Sequence, residues 1–509
     1  MSAKFDRREF VTGAVSAAAA TALGDLFFLN NLPAVTAADA RPRPATVHFG
    51  PDTEPLVRLI EDTPREQVLE KVAAAVRGGV SYQQLLTATF LAGVRGIQPR
   101  PVGFKFHAVL VINSAHLAAL AAGDRDRWLP LFWAIDNFKS SQARNRVEGG
   151  WMLPPAQEAK LPPPHLAKQR FIEAMDEWDE EGTDRAITAL ARTASPGEVI
   201  ELMWRYGCRD FRDIGHKAIY AANGWRTLQV IGWQHAEPFL RSLAYAMLEH
   251  DGTNPAHRDD ERDRPFRDNQ KRVADIGPLW KGDRKPSAEA CADLLAALRT
   301  AGPEGACDNV ADLLKGGVHP SSVWDGLFLT AGELLARQPG IIGVHCLTSA
   351  NALHHAYEAT GDDTTRRLLM LQAAAFLALF RKFMTGRGSL AEVRLDKLEK
   401  AEPAGEPAAA VDELFATLSR DRGQAARQAL GLLERHPERM PAVMAAARRL
   451  VFAKGNDSHD YKFSSAVLED YYHVSPAWRD RYAAAAMYNL RGSGESDTDL
   501  VRRARAALG

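Results

Sequence analysis

Two stretches of this chain repeat one another 238 residues apart. Laying Val80 on Val318 aligns Gly78–Asp124 with Gly316–Asp362 without a gap, and 13 of the 47 positions are identical. The polar identities carry the signal, because Ala and Leu match readily between any two helical sequences. The pattern His107-x5-Asn113-x2-His116 returns as His345-x5-Asn351-x2-His354. A looser echo links His235-x2-Pro238-x2-Arg241 with His473-x2-Pro476-x2-Arg479. Solenoid units run to about 20–50 residues, so a repeat this long points instead to a duplicated domain packed about a pseudo-twofold axis. The expected layout is a first helical half over 41–250, a charged linker loop over 251–286 and a second helical half over 287–509.

The periodicity between these landmarks is helical. Glu66–Val76, Glu198–Tyr206, Arg226–Leu248, Ala288–Leu298, Arg366–Met384, Ala425–Leu433 and Ala442–Val451 all place apolar residues at i, i+3 and i+4 in Ala/Leu/Arg-rich sequence. Val109–Ile112 and Ile341–Val344 read equally as strand or helix. Ser81, Ser195-Pro196, Ser287 and Ser475-Pro476 have the chemistry of helix N-caps, two of them with proline in the first turn. The expectation is an all-α fold of two related halves. Of 509 residues, 63 are Lys or Arg and 64 are Asp or Glu, a formal charge of −1. That balance argues against a nucleic-acid partner, which favours a basic excess. No apolar run of membrane-spanning length follows the N-terminus, so no permanent span is expected in the mature chain.

The N-terminus reads as an address. Arg7-Arg8, an Ala-rich weakly apolar stretch from Gly13 to Leu29, and Ala38-Asp39-Ala40 resemble a twin-arginine export signal over residues 1–40. The reading implies a partner, the twin-arginine export machinery, and a periplasmic or secreted location in a bacterium. Such chains usually cross the membrane folded, often after a cofactor is inserted. The four cysteines, Cys208, Cys291, Cys307 and Cys346, form no C-x-x-C pair; Cys291 and Cys307 could pair in an oxidising compartment, but free buried thiols are the expected state.

The histidines are the residues with chemistry to explain. Residues nine apart on one helix point about 180° apart, so His107 and His116 cannot share a face of a continuous helix. His107 and His345 are therefore placed near helix entries, with Asn113/His116 and Asn351/His354 further along. His216, Tyr220 and Asn223 fall at i, i+4 and i+7 on one face. Histidines and asparagines so arranged can hold a metal, polarise a carbonyl or transfer protons near neutral pH. His107, His216, His345 and His459 are the candidate catalytic residues. Asn113, His116, Tyr220, Asn223, Asn351 and His354 are the candidate substrate-binding residues. No His-Glu-x-x-His, P-loop, Gly-x-Gly-x-x-Gly or Gly-x-Ser-x-Gly motif occurs, so the identity of any metal is open.

The pieces Phe106-His107-Ala108-Val109-Leu110, Val344-His345-Cys346-Leu347-Thr348-Ser349-Ala350-Asn351 and Asp457-Ser458-His459-Asp460-Tyr461-Lys462-Phe463 resemble the questin oxidase family. The resemblance runs in short pieces from Gln83 to Leu490. It implies an all-helical oxidoreductase that inserts oxygen beside a ketone, using molecular oxygen and a reduced nicotinamide. Export would carry the chain away from reduced nicotinamide, which leaves the electron donor open. Three readings follow. The first is an exported oxidoreductase acting on a small molecule, such as an aromatic or cyclic ketone, in a histidine-lined pocket between the halves. The second is a metal-dependent enzyme of another reaction class with the repeated histidines as ligands. The third is a non-catalytic helical binding or scaffold protein, in which the histidines would be dispersed.

Overall fold

The computed structural model describes residues 46–508 apart from 125, 282–284, 403–404 and 456. The export-signal reading lies outside the described residues. Within them the periodic sequence forms 23 α-helices, several joined through 3₁₀ turns, and no strand occurs among the described residues. The chain is all-α, and its described part clusters as one compact unit. Ile341–Val344 is helical, and Val109–Ile112 spans the end of one helix and the start of the next, with a turn at Val111.

Five helices carry the site: α1 (His107–Leu110), α2 (Ile112–Ala121), α3 (His216–Ile231), α4 (Ile341–Ala359) and α5 (Ser458–Asp470). The hub is α4. Its residues 342–354 are buried without interruption, which marks a helix covered on every side rather than an amphipathic one. It packs on Pro320–Arg337, Asp363–Thr385, α3 and α5. In turn α5 packs on α1 and α2, and α3 on the same two helices. The site helices thus converge from both ends of the chain. At the repeat offset two helix boundaries coincide, Tyr82 with Pro320 and Ala121 with Ala359, while Gly96 and Arg337 do not correspond and α4 runs unbroken opposite the separate α1 and α2.

Three expectations need correction. The run Arg226–Leu248 is two helices, because Gly232 takes φ +100° and turns the chain through the 3₁₀ turn Trp233–His235 into Ala236–Met247; that conformation suits glycine. The stretch 251–286 is not a loop throughout. Arg264–Ile276 is a helix with Pro265 in its first turn, and it buries Phe266, Asn269, Val273 and Ile276 against Pro303–Lys315 and Asp363–Thr385. These four positions follow helical spacing, but the charged residues between them hide it. Ser475-Pro476 caps no helix, since the next helix begins at Arg479 with Trp478 in the cap position. Ser81, Ser195 and Ser287 cap as expected, each accepting a bond from the backbone N–H three residues on.

All four cysteines are free and buried. Asp363–Thr385 is long and apolar enough to cross a membrane, and 78% of its most apolar window is buried inside the fold.

Candidate metal centre

Each of the four candidate catalytic histidines reaches the site from the start of a helix. His107 is the first residue of α1 and His216 the first of α3. His345 lies in the second turn of α4, and His459 is the second residue of α5. Their ligand atoms all lie within 4.8 Å of one another. His216 is the middle of the set: its Nε2 is 3.0 Å from Nε2 of His107 and 2.9 Å from Nε2 of His345. The rings of His107 and His459 are 4.4 Å apart, and those of His345 and His459 are 5.0 Å apart. His345 is 1% exposed, His216 4% and His107 8%.

The far side of each ring decides the protonation state. Nδ1 of His107 meets the carbonyl oxygen of Phe104 at 2.8 Å, and Nδ1 of His216 that of Asp213 at 2.5 Å. Nδ1 of His345 meets the carbonyl oxygen of Ile341 at 2.6 Å, and Nδ1 of His459 a carboxylate oxygen of Asp457 at 2.6 Å. A carbonyl or carboxylate oxygen only accepts, so Nδ1–H donates in all four. The neutral rings then present four Nε2 lone pairs to one another. This is how metal-bound histidines are held, with the outer nitrogen donating to an oxygen that fixes tautomer and ring direction.

Two of these oxygens sit on unusual backbone. Phe104 has φ +45° and Asp213 φ +55°, and each lies three residues before its histidine. Ile214, a β-branched residue, follows at φ +48°. Left-handed non-glycine residues cost of order 1–3 kcal/mol each and persist where the surroundings enforce them. Here the cost is incurred twice, at the carbonyl that orients a ring. Gly103, at φ +132°, lies against His216, where a Cβ would stand 3.1 Å from the ring.

Burial, reinforced by the Lys462 charge and the neighbouring rings, holds His107, His216 and His345 well below the ordinary imidazole value of 6.5. Burial also lowers His459, against the pull of Asp457. The Lys462 ammonium is pushed down to about 7 by its burial. Imidazoles with depressed values accept protons in the unfolded chain before the folded one, so their contribution to stability is present above pH 6.5 and lost as pH falls below it. In the metal-free protein the ring nitrogens of His107, His216 and His345 are expected to keep neutral-imidazole ¹⁵N shifts as pH falls through the ordinary imidazole value of 6.5. A midpoint near 6.5 for any of the three would contradict this.

The geometry suits a transition metal. Imidazole nitrogens bound at about 2.0–2.1 Å stand about 2.9 Å apart at right angles and about 3.3–3.4 Å apart in a tetrahedron. The separations of 3.0 and 2.9 Å about His216 match right angles. Right angles belong to tetragonal and higher coordination, and an ion so held by these nitrogens would keep a position for a further ligand.

Comparison with protein-family models, with curated proteins and with solved structures finds no match. The functional reading therefore rests on the geometry and the sequence.

The remaining candidates take other places. His116 meets the Tyr82 hydroxyl at 3.1 Å. Tyr220 donates to the Ser242 hydroxyl, and Asn223 to the Leu110 carbonyl. Asn351 donates to Glu469 and Asp470, while Arg226 donates to both Asn223 and Asn351. Asn113 is buried within α2. His354 packs between Trp324 and His473. None of the six joins the four-histidine group. Sequence reasoning missed Asp457, Asp213, Phe104 and Lys462. Asp457 had a readable signal, since Asp457-x-x-Asp460 is a capping box at the start of α5.

Proposed function

We propose that this chain is a metalloprotein whose His107, His216, His345 and His459 hold one first-row transition metal ion, and that it serves as an exported oxidoreductase acting on a small molecule. The observation that carries the reading is the convergence of four Nε2 atoms, each backed by an oxygen that fixes its lone pair inward. Four lone pairs facing one another repel, and a cation at their centre turns that repulsion into binding. Imidazole suits zinc, copper, iron and nickel, and four neutral ligands leave the ion its full charge.

The oxidoreductase assignment draws on the resemblance to questin oxidases, whose matching pieces contain three of the four ligands. A dispersed set of histidines, as a scaffold protein would have, is the opposite of this arrangement. The repeat contributes one ligand from each copy, His107 and His345, which favours two related halves closing on a shared centre. Export by the twin-arginine route fits a chain that must fold around its ion before it leaves the cytoplasm.

The test is elemental analysis and electron paramagnetic resonance of the protein purified from its native host. One equivalent of copper, iron or another redox-active ion, cycling with added reductant and oxidant, is expected. Stoichiometric zinc, which has no redox chemistry, would remove the oxidoreductase reading and leave a metal-dependent enzyme of another class. A metal-free protein would remove both.

A further inference from the structure

One buried group beside the centre has no hydrogen-bond partner among the described residues. Lys462 is 2% exposed, and its Nζ makes no hydrogen bond. It follows His459 by three residues on α5, so it shares that helix face. Its charge acts on all four histidines. A buried ammonium or amine without an acceptor is costly, and buried charges are ordinarily paired. Other buried lysines of this chain obey that rule. Lys217 is bonded to Asp210 and to two carbonyl oxygens, and Lys139 to Gln142 and two carbonyl oxygens.

The charge balance points the same way. Four neutral imidazoles leave a divalent ion its full charge, and Lys462 adds to it whenever it is protonated. Asp457, bonded to His459, supplies one negative charge in return. Asp460 is drawn off by Arg491. The centre and its lysine therefore carry an uncompensated positive charge in a buried setting.

Resting on the four-histidine reading, we infer that Lys462 marks the position of an exogenous ligand: a small anion, bound to the metal through one atom and hydrogen-bonded by the Lys462 Nζ. An ion holding His216 and its two neighbours at right angles would keep a coordination position, and Lys462 supplies the donor that selects an anion over a neutral ligand. Hydroxide, a carboxylate and a reduced-oxygen anion share this chemistry, and azide is their experimental stand-in.

The experiment uses the full mature chain loaded with one equivalent of Cu(II) and titrated with sodium azide. Azide-to-copper charge-transfer absorption and the copper resonance spectrum report binding. Saturable azide binding is expected in the wild type. Lys462→Met, of similar length and uncharged, is expected to keep its copper and to bind azide at least tenfold more weakly. Lys462→Gln, which keeps a donor without the charge, serves if the methionine variant does not fold, with a loss in the same direction. Equal azide affinity in wild type and in a copper-loaded variant overturns the inference, as does a copper-loaded wild type that binds no azide. Failure of the wild type to retain copper through desalting is a separate result, which overturns the centre itself.

Discussion

Replacement of His216 by alanine is expected to empty the centre. His216 is the one ligand within hydrogen-bonding distance of two others, His107 and His345, so its loss leaves the remaining nitrogens without their shared neighbour. Removing only an outer partner of a metal ligand costs about 10–100-fold in affinity, and loss of the ligand itself exceeds that. The measurement is metal content after desalting, which is expected to fall from about one ion per chain to below about a tenth. His354→Ala is the control. His354 is equally buried and stands at the repeat position of His116, but lies outside the group, so this variant is expected to keep its ion. Retention of full metal content by His216→Ala would remove His216 from the ligand set.

Lys217→Met is expected to be among the most destabilising single changes in the described fold. The Lys217–Asp210 pair is fully buried, with Nζ 2.9 and 3.1 Å from the two carboxylate oxygens. The same Nζ donates to the carbonyl oxygens of Met247 and Glu249 at 3.2 and 2.8 Å. One side chain thus ties the turn before α3 to the end of Ala236–Met247. Breaking a buried pair from one side costs about 3–5 kcal/mol, because the partner is left as an uncompensated charge. Urea denaturation of the metal-free chain reads this directly. Adding Asp210→Asn is expected to recover part of the loss, since the orphaned charge goes with it. A Lys217→Met loss below about 1 kcal/mol would place the pair in the class of solvent-screened surface bridges.

The sequence made the helices legible because Ala/Leu/Arg periodicity is strong and nothing competes with it. It also flagged all four histidines of the cluster, two through the repeat and two through weaker cues. It could not separate them from His116 and His354, which the repeat marks just as clearly. On α4, His345 and His354 are nine residues apart and face opposite ways. One points to the centre and the other to Trp324, and a repeat reports that a position is kept without reporting its direction. The orienting oxygens were illegible for another reason. Those for His107, His216 and His345 are backbone carbonyls, and the positive φ at Phe104 and Asp213 is imposed by tertiary packing on residues whose own preference is elsewhere. Lys462 was invisible as a site residue because a lysine in a helix reads as a solvated one until its burial is seen.

The four histidines of the cluster are residues 107, 216, 345 and 459, so the last arrives only when nearly the whole chain has been made. A nascent chain that stops short of α5 has three imidazoles and no closing one. Under the metal-centre proposal, capture of the ion is thereby tied to the synthesis of α5, and a product truncated before it is expected to hold no ion. On the proposed reading the arrangement acts as a proof of assembly: only a chain that has brought residues 107 and 459 together can close its centre on an ion.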